Sequence, residues 1–197
     1  MKYVYVVCGY KRTGKDTLVK MFNEDINFNW IIYSSDNHKL KINNVIRIGL
    51  ADELRLEVGK IYNISESIDY DTFKETMIRD GKTYRDILIE HGAFRREQNI
   101  NYWVDKCLNK LKMNNGSIMI TDWRYLNELE YMLKNLKNII TIRLYRSNVP
   151  YPPDNVISEH QLDDVKTDFL LVPKINTEEE FKKACDLFPQ YKNYTRY

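Results

Sequence analysis

The sequence predicts an α/β fold with a mainly parallel sheet of about five strands and a mobile lid. Two observations lead to this expectation. Short runs rich in β-branched and aromatic residues alternate with segments of helical character, and a glycine-containing loop joins the first run to the first helix. The 197 residues, 43% of them hydrophobic, are enough for one substantial core, so we expect a single domain over residues 1–197.

The first element is a strand at residues 3–8 (YVYVVC), which continues through residues 9–17 (GYKRTGKDT) into a helix. In this order the pattern G-x-x-x-x-G-K is typical of phosphate binding, because backbone N–H groups and the helix N-terminus point at one anion. Gly9 and Gly14 let the backbone approach phosphate oxygens, and Lys15 can reach the outer phosphates. The alternative, a plain strand-to-helix turn, requires two of only 7 glycines to fall at this spacing by chance.

This loop supplies the candidate nucleotide-binding residues. They are Gly9, Lys11, Arg12, Thr13, Gly14, Lys15, Asp16 and Thr17. Asp16 stands where a serine or threonine usually follows the lysine. Either its carboxylate holds Mg²⁺, directly or through water, or it caps the helix while Thr17 serves the metal.

Composition narrows the class of protein. A net charge of +2 means that the two signs nearly cancel, so the chain is not expected to coat nucleic acid. The three cysteines are widely spaced, which predicts neither a disulfide framework nor a zinc cluster, and favours a reducing compartment such as the cytoplasm. The apolar runs are too short for a secretory signal or a membrane span, so no lipid contact is expected.

Residues 23–44 are polar, and we expect a loop crossing the sheet edge there, with WIIY at residues 30–33 as its one apolar run. A second strand follows at residues 45–50, and a helix opens at residue 51 with acids in its first turn. Asp52 is either a cap of this helix or a substrate-side residue, and the sequence leaves both open.

The helix predicted within residues 82–101 carries Arg85, Arg95 and Arg96. Three guanidinium groups in so short a span suit a phosphate-bearing substrate, although each arginine taken singly is more typical of a solvated surface. Gly92 is expected to break this helix. Trp103 begins the next one, where it serves equally well as core or as a platform for a ligand.

Two later strands are predicted to deliver charged residues to the same edge of the sheet. Residues 117–122 (SIMITD) end in Asp122, followed by Arg124, and residues 139–145 are followed by Arg146. Neighbouring parallel strands bring their carboxyl ends together, so Asp122 is a candidate for supporting Mg²⁺, while an isolated aspartate there would be only a cap.

The connection at residues 147–166 contains three of the 5 prolines and no regular periodicity. Beside a nucleotide site, a segment of this kind is expected to act as a lid that excludes water from the transferring phosphoryl group. A last strand follows at residues 168–172 and a terminal helix after it.

Several segments of the sequence resemble those of a known family. Residues 10–17 resemble the K-R-S-G-K-D-T loop of the deoxynucleoside monophosphate kinases of T-even bacteriophages and related viral enzymes. Further similar segments follow in the family's order: 50–54 (LADEL), 85–92 (RDILIEHG), 102–104 (YWV), 121–124 (TDWR) with Asn127 and Glu128, and 157–159 (ISE). The match covers most of the chain. Its loop is the specific part because of Asp16, and the other segments gain weight from their order.

The resemblance implies a three-layer α/β/α P-loop kinase fold that moves the γ-phosphoryl group of ATP, with Mg²⁺, onto a (deoxy)nucleoside monophosphate. It implies a monophosphate-binding region at about residues 51–105 and the lid at about 147–166. The implied catalytic residues are Lys15, Arg124 and Arg146, the implied metal residues Asp16 or Thr17 with Asp122, and the implied substrate-binding residues Asp52, Arg85, Arg95, Arg96, Trp103 and Glu159. A viral source would place the enzyme in the host cytoplasm, and a homodimer stays open.

The accepted base stays open, and so do two other functions. The chain is shorter than the phage pattern between the second strand and Arg85, a stretch where base selection could reside, so the accepted base is not fixed. Animal phosphomevalonate kinase has a similar G-x-x-x-x-G-K-D loop, which would make the acceptor a non-nucleotide phosphate. A module that binds a nucleotide without transferring a phosphoryl group is the third interpretation.

Overall fold

The computed structural model describes residues 2–24, 29–35, 40, 44–153 and 157–196, without the side chains of residues 157 and 158. Parts of the expected loop at 23–44 and of the expected lid at 147–166 therefore lie outside the described residues. The chain forms two compact units. The first consists of Met1–Ile48 with Asn114–Tyr197, and the second of Gly49–Met113.

The elements follow in chain order. The strands are β1 (Val4–Cys8), β2 (Trp30–Ser34), β3 (Val45–Ile48), β4 (Met77–Arg79), β5 (Lys82–Thr83), β6 (Ser117–Ile120), β7 (Ile139–Leu144), β8 (Phe169–Pro173) and β9 (Thr195–Arg196). The helices are α1 (Lys15–Asn23), α2 (Leu50–Tyr62), α3 (Tyr70–Phe73), α4 (Tyr84–Gln98), α5 (Tyr102–Met113), α6 (Leu126–Asn135), α7 (Ile157–His160) and α8 (Thr177–Leu187), with a 3-10 turn at Pro189–Tyr191.

The first unit contains a sheet with the strand order β3-β6-β1-β7-β8-β2-β9. The first five strands in this order are parallel, and they are the five that the apolar runs predict. The strand β1 lies at their centre, with Val6 opposite Ile120 of β6 on one side and Thr141 of β7 on the other. The α/β class and the mainly parallel sheet are thus confirmed.

The expected count of about five strands is wrong, because the described sheet has seven. The run at residues 30–33, expected within a loop crossing the sheet edge, forms β2, which pairs antiparallel with β8 so that Ile32 lies opposite Leu171. Trp30 and Ile32 are buried, and both belong to the core that includes residues of β1 and α1. The polar residues on both sides of β2 concealed this strand, which is stabilised by pairing with its partner. The strand β9 is too short to show a periodic pattern in the sequence.

Helices cover both faces of this sheet. On one face, Tyr5 and Val7 of β1 pack with Leu18 and Phe22 of α1. On the other face, residues of β8 pack with α8 and the 3-10 turn; this cluster includes Leu170, Val172, Ala184, Cys185, Phe188 and Tyr191. The first unit is therefore compatible with a three-layer α/β/α arrangement.

In the second unit α2, α4 and α5 pack against one another, next to the β4–β5 hairpin. Its smaller core includes Val58 of α2 with Ile87 and Leu88 of α4. The prediction that Gly92 breaks its helix is wrong, because α4 runs through it. A Cβ atom at Gly92 would lie 3.3 Å from Leu54 of α2, so the glycine allows close helix packing instead. In the ranges that the structure describes, no helix has both the length and the apolar character that crossing a bilayer requires.

Candidate functional site

The loop between β1 and α1 adopts a backbone that requires glycine. Gly9 and Gly14 have φ values of 145° and 100°, and Arg12 also has a positive φ of 71°. A Cβ atom at Gly9 would lie 2.6 Å from the carbonyl oxygen of Leu144, so no side chain fits there without moving β7. The loop thus leaves β1 against the neighbouring strand and reaches α1 with its backbone closely curled.

Hydrogen bonds within the loop fix its shape. The Thr13 N–H and hydroxyl both donate to the carbonyl oxygen of Tyr10, at 3.2 and 2.8 Å. Lys15 Nζ donates to the carbonyl oxygens of Gly9, at 2.7 Å, and Tyr10, at 2.9 Å. Burial, reinforced by the nearby charge of Arg124, lowers the pKa of Lys15. No carboxylate among the described residues makes an ion pair with this ammonium group.

A pocket opens beside the loop, and we call it the Lys15 pocket. It is lined by Gly9, Tyr10, Lys15, Asp122, Trp123, Arg124, Arg143, Glu159 and Leu162. The structure thus brings together four of the predicted site residues outside the glycines: Lys15, Asp122, Arg124 and Glu159. Among its described residues, three cationic side chains face two carboxylates, which favours an anionic ligand.

The sheet topology explains why these residues meet. Among the parallel strands, β3 and β6 lie on one side of β1, and the chain then crosses to build β7 and β8 on the other side. Lys15 follows β1, and residues 122–124 follow β6, the parallel neighbour of β1. Ligands of open α/β sheets bind outside the carboxyl ends of the strands at such a reversal of strand order.

Arg124 and Glu159 form an ion pair through Arg124 Nη1 and Glu159 Oε1. The guanidinium side chain is 46% exposed, whereas the glutamate side chain is 14% exposed. This pair links the residues after β6 to α7, which lies within the expected lid segment. A phosphate group that bound Arg124 through Nη1 would have to replace Glu159.

Arg146 lies on the other side of the loop. Its guanidinium carbon is 4.8 Å from the centre of the Trp30 ring. Its Nη2 atom is 3.9 Å from the Cβ position of Gly14, so the group is adjacent to the loop. The buried Nε of Arg146 has no hydrogen-bond partner among the described residues. Arg146 therefore keeps its positive charge without a carboxylate partner in the part of the chain that is described.

Asp16 does not cap α1, because its Oδ1 atom accepts hydrogen bonds from Thr121 Oγ1, at 3.2 Å, and Arg47 Nε, at 3.0 Å. Its side chain is 76% exposed, and Thr17 is exposed as well. Of the two interpretations drawn from the sequence, the helix cap is wrong, and the metal-binding one stays a prediction.

The residues present fit a magnesium ion only with the help of a bound phosphate. No group of three or more His, Cys, Asp or Glu side chains within the described ranges is arranged to hold a metal ion. Mg²⁺ is, however, usually bound by one or two carboxylates together with substrate phosphates and water. Asp16 and Thr17, which are exposed at the start of α1, and Asp122, in the Lys15 pocket, match that donor set.

The predicted substrate-binding residues of the second unit have structural partners of their own. Asp52 accepts a hydrogen bond from the Gly49 N–H at 2.8 Å and caps α2, as one interpretation held. Trp103 is buried and donates to the carbonyl oxygen of Gly92 at 3.2 Å, which makes it core. Arg85 is exposed, with its Nη1 atom 3.8 Å from Glu75.

Arg95 belongs to a cluster that sequence reasoning missed, and we call it the Glu57 cluster. Its members are Glu57, His91, Arg95, Tyr102 and Lys106. Burial by itself would raise the pKa of Glu57, but hydrogen bonds from the other four side chains outweigh it and lower the pKa to about 2. Each of α4 and α5 contributes two donors spaced four residues apart, which is the pattern that could have revealed the cluster.

Two further arginines, Arg96 and Arg143, lie in the second and the first unit. Arg96 lies against Gly92, with its Nη1 atom 3.3 Å from the glycine's Cβ position. Arg143 is 2% exposed and lines the Lys15 pocket, whereas the sequence predicts it only as part of a strand. A charged residue inside the apolar run at 139–145 was the available signal.

A comparison of the sequence with models of known protein families found no match, and a comparison with curated protein sequences found none.

Proposed function

We propose that the chain binds a nucleoside triphosphate on the loop at residues 9–17 and transfers its γ-phosphoryl group to a (deoxy)nucleoside monophosphate. The observation that carries this proposal is the state of Lys15. Its ammonium group is bonded to two neutral carbonyl oxygens of its own loop, in a pocket shared with Arg124 and Asp122. A cation held in this way can exchange weak partners for phosphate oxygens at little cost.

Binding would use the backbone as well as the lysine. The loop N–H groups and the N-terminus of α1 offer donors and a positive dipole end to the phosphates. On binding, Lys15 would leave the carbonyl oxygens of Gly9 and Tyr10 and donate to oxygens of the β- and γ-phosphates. The negative charge of the ligand would also reverse the lowering of the lysine pKa that burial causes.

Transfer requires positioning and neutralisation of charge more than acid or base chemistry. A phosphate oxygen of the acceptor forms a bond to the γ-phosphorus while the bond to the bridging oxygen of the donor breaks, which gives two diphosphates. Arg124 and Arg146 would neutralise the developing charge from the two sides of the loop. Asp16 or Thr17 with Asp122 would hold Mg²⁺, which supplies further positive charge to the phosphates when bound.

The proposed lid provides a way to link binding to closure. Glu159 holds Arg124 in the present arrangement. If a phosphate takes its place, α7 is released from Arg124 and can adopt a second position over the ligand. Closure would keep water from competing with the acceptor for the phosphoryl group.

The test is an acceptor panel. The protein is incubated with ATP and Mg²⁺, alone and with each ribo- and deoxyribonucleoside monophosphate, and ADP release is followed. ADP release that depends on one or more monophosphates is the expected result. Dependence on phosphomevalonate alone would replace the nucleotide acceptor with a non-nucleotide one.

Two further outcomes would overturn transfer. Slow ADP release without any effect of acceptor would favour a module that binds and hydrolyses the nucleotide. Absence of ATP binding by calorimetry would remove the nucleotide site altogether. The panel therefore separates the three interpretations that the sequence leaves open.

A further inference from the structure

We propose that Arg143 is an anion-binding residue of the Lys15 pocket, a buried positive charge that is neutralised when a phosphate group of the nucleotide binds. This inference rests on the proposed function, since it assigns a phosphate to the same pocket. It adds a cationic side chain from strand β7 to those of the loop.

The position of Arg143 in the sheet places it next to the loop. It lies in β7 opposite Cys8 of β1, and Cys8 directly precedes Gly9. With 2% of its surface exposed, it is one of the largest fully buried side chains, yet it lines the same pocket as Lys15 and Arg124. The side chain is thus shielded from bulk water, although the residue lines the pocket that is proposed to hold the phosphates.

Among the described residues, Arg143 forms its hydrogen bonds and ring contacts only with uncharged groups. Its Nε donates to the Tyr191 hydroxyl at 2.9 Å, and its Nη2 donates to the carbonyl oxygens of Leu162 and, at 3.5 Å, Val165. The ring of Phe188 lies 4.4 Å from its guanidinium carbon. No ion pair of Arg143 is formed within the described residues, and its Nη1 atom donates to no group there.

Asp163 is the carboxylate whose negative charge acts on Arg143, but its hydrogen bonds are with other residues. Asp163 accepts hydrogen bonds from Tyr10, at 2.9 Å, and from His160, at 2.8 Å. A buried charge that lacks a bonded counterion is costly to the folded protein. A ligand anion in the pocket would supply the missing charge, and Nη1, which has no hydrogen-bond partner among the described residues, is available to bind it.

The competing explanation is that Arg143 only ties β7 to Leu162, Val165 and Tyr191. The two explanations differ in what a neutral replacement does to ligand binding. Arg143→Met keeps most of the apolar stem of the side chain and removes its charge. If Arg143 has only this structural role, the variant loses stability, but a folded sample of it binds phosphate ligands as the wild type does.

The experiment measures binding of inorganic tripolyphosphate, and of ATP, by calorimetry without added acceptor. We expect Arg143→Met to weaken the binding of both by about ten- to a hundredfold, the loss that corresponds to one charged hydrogen bond. Arg143→Lys, which keeps a charge, should recover part of this loss. Arg196→Met, at an exposed position of β9, is the matched control for removal of one positive charge and should bind like the wild type.

Each result points to one conclusion. If the wild-type protein binds neither tripolyphosphate nor ATP, the proposed function fails. If the wild type binds them and Arg143→Met binds equally well, only the role of Arg143 fails. Should the methionine variant not fold, the Nε–Hε resonance of Arg143 in the wild-type protein, assigned through its bonded atoms, answers the same question. It should shift on addition of tripolyphosphate, and an unchanged resonance at saturating ligand would overturn the inference.

Discussion

The Lys15 pocket and the Glu57 cluster both gather positive side chains, and they differ in the partners of those side chains. In the Glu57 cluster one carboxylate accepts hydrogen bonds from four donors, which include Arg95 and Lys106. In the Lys15 pocket the lysine is bonded to neutral carbonyl oxygens and Arg143 to no described carboxylate. The number of cations does not mark a binding site. What distinguishes the Lys15 pocket is positive charge, on Lys15 and on Arg143, that bonds to no carboxylate among the described residues.

The two regions also contribute to stability with opposite signs. The lowered pKa of Glu57 means that folding favours its charged form, so this residue stabilises the folded state above its unfolded pKa of 4.5. The lowered pKa of Lys15 means that folding disfavours its charged form, so the ammonium group costs stability at neutral pH. The cluster supports the second unit, whereas the pocket retains a group that burial makes unfavourable.

The largest expected effect is on the pocket side of this comparison. Lys15→Ala should lower phosphoryl transfer by about a thousandfold or more, because the lysine acts on the charge of the phosphates. The fold should persist, as judged by circular dichroism and by thermal unfolding. Lys20→Ala, at an exposed position of the same helix, is the control and should keep its activity. A folded Lys15→Ala protein with normal turnover would contradict the assignment.

On the cluster side, Glu57→Gln should destabilise the protein by about 2 kcal/mol, since it leaves Arg95 and Lys106 without their partly buried counterion. Urea unfolding measures the effect. Glu90→Gln removes one half of an exposed pair with Lys82 and should cost about 0.5 kcal/mol or less. Equal losses in the two variants would show that the cluster is no more than a surface network.

The pH dependence sharpens the same contrast. Stability of the wild-type protein should fall as the pH is lowered from about 4.5 towards 2, because the folded state holds Glu57 ionised over this range. Glu57→Gln should lose less stability over the same interval. Denaturant unfolding at several pH values, for both proteins, provides the measurement, and parallel curves would remove Glu57 as the responsible group.

The smallest expected change in stability is at Arg85. Its nearest described carboxylate partner, Glu75, is 3.8 Å away, and the side chain is exposed, so Arg85→Gln should alter the free energy of unfolding by less than about 0.5 kcal/mol. If Arg85 binds the acceptor phosphate, the same change should raise the acceptor KM by about tenfold. Arg95→Gln should do the reverse, with lower stability as its main effect. A normal KM in the Arg85 variant would remove it from the substrate site.

The parallel sheet and the loop were predictable because local signals define both. Apolar runs mark each of the five parallel strands, and the spacing of Gly9 and Gly14 marks the turn after the first. The strand β2 was missed because polar neighbours hide an apolar run whose structure depends on pairing with β8. Secondary structure that depends on a partner far along the chain leaves little trace in local sequence.

The partners of the charged residues were the least predictable part of the site. Arg95 looks from sequence like Arg85, and only the packing of α2, α4 and α5 reveals that Glu57 holds one of them. Asp52 and Trp103 each had a structural and a functional interpretation, and in both cases the structure supplies the structural partner. Which charge is left without a counterion depends on tertiary packing.

The close approach of Gly9 to Leu144 limits how this protein can change. Because even a methyl group at residue 9 would meet the carbonyl oxygen of β7, any replacement has to be absorbed by the sheet instead of by solvent. Lys11, two residues further on, is exposed and faces no such limit. If the loop binds a nucleotide as proposed, laboratory selection for altered nucleotide preference should therefore recover substitutions at residue 11 and almost none at residue 9.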